Sequence, residues 1–138
     1  MNDFEQLLQN YVNKDYFELV AKARRDIISL FPACRVVDKD NDGFVMMTSI
    51  MLSAIGADGT LTALERKFMK DALEIDDDSV SEFIKMYNGK MVGLTDSFAD
   101  ALPVELKADV IDLALCIVSV DTKISREDTA FIAKLISQ

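Results

Sequence analysis

Displaced by 63 residues, the chain lies over itself. Ser53-Ala54-Ile55-Gly56-Ala57-Asp58-Gly59-Thr60-Leu61-Thr62-Ala63-Leu64-Glu65 falls on Cys116-Ile117-Val118-Ser119-Val120-Asp121-Thr122-Lys123-Ile124-Ser125-Arg126-Glu127-Asp128. Asp58 meets Asp121, Leu61 meets Ile124, Thr62 meets Ser125, Glu65 meets Asp128, and Phe68 then meets Phe131. Each copy reads as an apolar helix, an Asp-led turn with one inward aliphatic, and an amphipathic helix. Neither hairpin buries its apolar face alone, so the two are expected to pack about a pseudo-twofold. One all-helical domain over 1–138 follows, with repeat halves at about 44–73 and 104–137.

The rest of the chain agrees with an all-α fold of about seven helices. Only 5 Gly and 2 Pro are present, too few turn-formers for a chain of many hairpins. Apolar residues at helical spacing place a helix over 4–12. A second starts near Asp15 with Phe17, Val20, Ala21, Ile27, Ile28 and Phe31 inward, and Pro32 ends it. Further helices are expected from about Phe44, over 63–73, and from a cap at Asp77, Asp78 or Ser79 to about Tyr87, with Gly89 as stop. A short helical piece follows at 95–101. The helix from Pro103 to about Val120 is apolar on most sides and reads as the central buried element, and a last one covers 126–137.

The chain has no histidine, which removes imidazole acid–base work, Ser-His and Cys-His nucleophile pairs and most transition-metal sites. Cys34 and Cys116, 82 positions apart and set among apolar residues, read as buried reduced thiols of a cytoplasmic protein. The pair Asp109/Asp112 imitates a carboxylate dyad, but with no nucleophile near it in sequence it reads as surface. A net charge of −9 repels phosphate backbones and suits cations or a basic protein partner. The acidic N-terminus carries no secretion signal, and the longest apolar run, 113–120, is too short for membrane insertion. A non-catalytic protein is expected.

Thr62 with Glu65 three residues on is a capping box, and Ser125 with Asp128 repeats it with a shorter acid. The same residues support a second reading, in which Asp58, Glu65, Asp121 and Asp128 gather as oxygen ligands for a divalent cation. An apolar helix followed by Ala57-Asp58-Gly59-Thr60-Leu61-Thr62-Ala63-Leu64-Glu65, with a degenerate second copy near the C-terminus, resembles the tellurite-resistance TerB family. The resemblance runs from about Phe44 to the end, and the second copy has Thr122 where the motif prefers Gly. It implies an all-helical fold and divalent-metal binding through the acidic loops. It also implies a role in bacterial stress-response or membrane-associated complexes, without enzyme activity.

A competing motif is Asp38-Lys39-Asp40-Asn41-Asp42-Gly43-Phe44-Val45, the first two-thirds of an EF-hand loop. Asp38, Asp40 and Asp42 supply hard oxygens and Gly43 the sharp turn, but the twelfth position is Ser49 where a bidentate Glu belongs. This reading gives a weak calcium-binding protein, against the alternative of an acidic surface turn. The run Asp76-Asp77-Asp78 likewise reads as a cation site or a solvated capping loop.

Overall fold

The computed structural model describes residues 6, 10–11, 13–55, 61–87 and 89–120. Six helices are complete within them and no strand occurs among the described residues. No helix there is long and apolar enough to cross a membrane.

Asp15 starts α1 (Tyr16–Val37), its side chain accepting the Glu18 N–H at 2.8 Å. Pro32 was expected to end this helix, yet α1 runs through it to Val37. Pro32 lies on the solvent face, so the carbonyl of exposed Ile28 that its ring leaves without a donor can turn to water. Cys34, fully buried on the next turn, keeps the C-terminal stretch on the core. The buried stripe is Leu19, Ala23, Asp26, Leu30 and Cys34. Phe17 and Ile28, expected inward, are instead 78% and 73% exposed. The apolar periodicity falls on the neighbouring stripe because an aspartate occupies the true one.

Two helices buried on nearly all sides make the centre. In α2 (Phe44–Ile55) every residue from Met46 onward is buried. The apolar central element expected near the C-terminus is α6 (Val104–Ser119), buried continuously from Leu113 to Ser119. Against these lie α1, which packs most extensively on α6, and α3 (Ala63–Leu73), which inserts Phe68 and Met69. Phe44 joins three helices, meeting Phe31 edge-on at 5.1 Å and stacking on Phe83 at 5.8 Å.

The chain leaves α3 through Glu74, a left-handed residue (φ 57°) whose N–H bonds the Lys70 carbonyl. Asp76, one residue ahead of the expected caps, accepts the Ser79 N–H at 2.8 Å and starts α4 (Asp77–Met86). Gly89, expected as its stop, is the first residue of α5 (Gly89–Ala101), and the piece expected at 95–101 is that helix's second half. The break comes earlier, at Tyr87, which takes an extended conformation and whose hydroxyl lies 2.9 Å from that of Ser53. Pro103 then stands at the N-cap of α6. Of the helix expected at 4–12 only residues 6, 10 and 11 are described, and the one at 126–137 lies outside the described residues. So does the second turn of the repeat, and with it the pseudo-twofold.

Candidate functional site

Of the four acids in the repeated motif, Glu65 lies among the described residues, while Asp58, Asp121 and Asp128 lie outside them. Glu65 is buried and works locally. Its Oε1 accepts the Thr62 N–H at 2.9 Å, and the Thr62 hydroxyl accepts the Glu65 N–H at 3.1 Å. This completes the expected capping box at the start of α3. Thr62→Ala is expected to cost about 1 kcal/mol in urea denaturation, equally with and without EDTA. A loss that chelator abolishes would assign the residue to a metal.

The loop of Asp38, Asp40 and Asp42 divides its carboxylates among separate tasks. Asp38 Oδ2 accepts the N–H groups of Val45 and Met46 at 2.8 and 3.2 Å, serving the N-terminus of α2. Asp42 pairs with Arg35 at 3.1 Å, and Asp40 is exposed. Gly43 has φ 87°, and a Cβ there would stand 3.1 Å from the Arg35 nitrogen, so the turn needs glycine. Because α2 begins at Phe44, the seventh loop position, the eighth and ninth N–H groups face Asp38. Ser49, at the twelfth position, is buried with its hydroxyl donating to the Val45 carbonyl at 2.7 Å. The three carboxylates do not bring oxygens together within 4.8 Å. In the Asp76 run, Asp77 accepts from Arg66 at 2.7 Å, and that bond holds its carboxyl below the usual range.

Among the described residues, one trio of metal-ligating side chains does converge. Asp26 on α1 and Asp112 and Cys116 on α6 place ligand atoms within 4.8 Å of one another. Asp26 is 5% exposed, and its Oδ2 is buried without a hydrogen-bond partner. Asp112 Oδ1 receives the Tyr11 hydroxyl and lies 3.6 Å from the Lys22 ammonium, which sits 5.5 Å from the centre of the Tyr11 ring. Burial, and then Asp112 beside it, push the Asp26 carboxyl up to about 9. Asp109 rises for the same two reasons. Burial raises the Cys116 thiol, with Asp112 and Asp26 adding to it, and burial with the bond to Asp112 raises Tyr11. At neutral pH Asp26 therefore keeps its proton beside Asp112.

This corrects the surface reading of Asp109/Asp112. Asp112 is half-buried, and the acid that matters to it comes from another helix. The available signal was Asp26 itself, a charged residue at the spacing of Leu19, Ala23, Leu30 and Cys34.

On the outer side of α1, two hollows run along its seam with α3. The larger, about 580 Å³, is lined by Tyr16, Phe17, Val20, Ala21, Arg24 and Asp71. The smaller, about 130 Å³, continues past Arg24 to Ile28, Phe31 and Leu73. Arg24 crosses between them, donating to the Asp71 carbonyl at 2.8 and 3.1 Å. Neither hollow touches Asp26 or Asp112. No family model, curated protein or solved structure matches the chain.

Proposed function

We propose that the chain is a non-catalytic, TerB-like helical module that binds a protein partner along the seam of α1 and α3. The observation that carries this reading is the outer stripe of α1. Phe17, Ala21, Arg24 and Ile28 follow helical spacing, and the two aromatic or aliphatic ends stand 78% and 73% exposed. From Phe17 to Phe31 the seam runs about 21 Å at 1.5 Å per residue, the length of roughly four turns of a partner helix laid into the groove. With a net charge of −9 on this chain, a partner helix with basic flanks is favoured. The capping box at Thr62 and Glu65 supports the TerB-like part of the reading. The non-catalytic part is supported by the acid pair, which lies between α1 and α6 and lines neither hollow.

The test is quantitative capture by tagged protein, with Phe17→Ser/Ile28→Ser as comparison. A partner should be retained by the wild type and lost from the variant, while helix content and thermal midpoint stay unchanged. Equal capture by both proteins overturns the assignment of the surface. Hydrolytic turnover that disappears in Asp26→Asn overturns the non-catalytic reading.

A further inference from the structure

We propose that Asp26, Asp112 and Cys116 form a transition-metal site between α1 and α6, suited to zinc-like cations and not to calcium or magnesium. Asp112 and Cys116 are one helical turn apart, so their side chains leave α6 on the same face, and Asp26 meets them from the facing helix. Helical bundles build metal centres from this placement, with acids on facing helices projecting inward. The second observation is Asp26 Oδ2, fully buried and without a donor. No protein donor among the described residues reaches that oxygen, and a cation in the trio would coordinate it.

Charge decides whether an ion is tolerable in such an interior. Two carboxylates and a thiolate carry three negative charges. A divalent cation and the Lys22 ammonium beside Asp112 together cancel them. A metal takes its carboxyl and thiol ligands deprotonated, so affinity rises with pH. The groups facing the site are Asp109 and Asp112 from α6, Lys22 from α1, and Tyr11 and Lys14 from the segment before α1. Asp109, hydrogen-bonded to Asp26, stands at the edge of the cluster and is not one of its ligands. The sulfur sets the selectivity. Zinc and cobalt take thiolate and carboxylate in four-coordinate sites, while calcium and magnesium require oxygen throughout.

Cobalt(II) is the probe, added to the full chain under reducing conditions at pH 7.5, with zinc then added in competition. One equivalent should give a thiolate-to-cobalt charge-transfer band with intense tetrahedral visible absorption, and zinc should bleach both. Cys116→Ser should abolish the charge-transfer band. Asp26→Asn, which keeps the shape of the side chain, should weaken cobalt binding at least about tenfold. Cys34→Ser, at the other buried thiol, should leave the spectrum unchanged. Absence of the band in folded wild type overturns the proposal, as does a band that survives Cys116→Ser or vanishes in Cys34→Ser.

Discussion

Asp26→Asn is expected to make the protein more stable at neutral pH, by about 2 kcal/mol or more, in metal-free buffer. Asp26 has a folded-state pKa of about 9, far above the ordinary carboxylate value. A carboxyl of this kind holds its proton more tightly in the folded chain than in the unfolded one. Its contribution to stability is therefore fully present below about pH 4 and is lost as pH climbs toward 9. Each unit in that window removes up to about 1.4 kcal/mol. The asparagine amide keeps the shape, remains neutral at every pH and can donate to Asp112. Urea denaturation at pH 5 and pH 8 should show wild-type stability falling over the interval, and the fall largely removed in the variant. Asp71, Asp76 and Asp77, held below the usual range, lose their contributions only in stronger acid and do not blur the comparison. Asp109 leaves a small residual slope of the same sign. Parallel pH profiles, or a variant weaker at both values, would contradict the assignment of the proton to Asp26.

Replacing Pro32 with alanine should also stabilise the fold. An interior proline costs a helix about 3 kcal/mol relative to alanine, through the absent N–H and the clash with the carbonyl four residues back. Here that position is solvent-facing, which softens the loss without removing it. The proline also restricts the unfolded chain, offsetting about 1 kcal/mol. A net gain of about 1 kcal/mol remains, visible as a higher thermal midpoint with unchanged helix content. A neutral or lower midpoint would mean that α1 is already bent to suit the ring.

Pro32 also illustrates what was legible in the sequence. Local chemistry was read correctly where it acts on its own backbone: Asp15 caps α1, Thr62 and Glu65 close their box, and α2 and α3 occupy the expected stretches. It was misread where a distant contact overrides a local preference. Burial of Cys34 carries α1 past its proline, and the Tyr87–Ser53 bond stops α4 two residues before the glycine that seemed to end it. Residues of the candidate sites follow the same division. The cap made by Glu65 depends on a spacing of three residues and was visible. The cluster of Asp26, Asp112 and Cys116 unites positions 86 or more apart on α1 and α6, and no local pattern announces it. Asp26 moreover concealed the buried stripe of α1 by placing a charge within it.

The three tyrosines have a use of their own, because the chain contains no tryptophan. Tyr11 bonds Asp112 on α6, Tyr16 bonds Asp71 on α3, and Tyr87 meets Ser53 on α2. Each phenol is thus anchored across a different junction, and its near-ultraviolet signal and hydroxyl ionisation report whether that junction is closed. Single Tyr→Phe substitutions would separate the three signals without any foreign label. The native chromophores can thereby distinguish an all-or-none opening of the bundle from one in which α1 leaves before the α2–α4 unit.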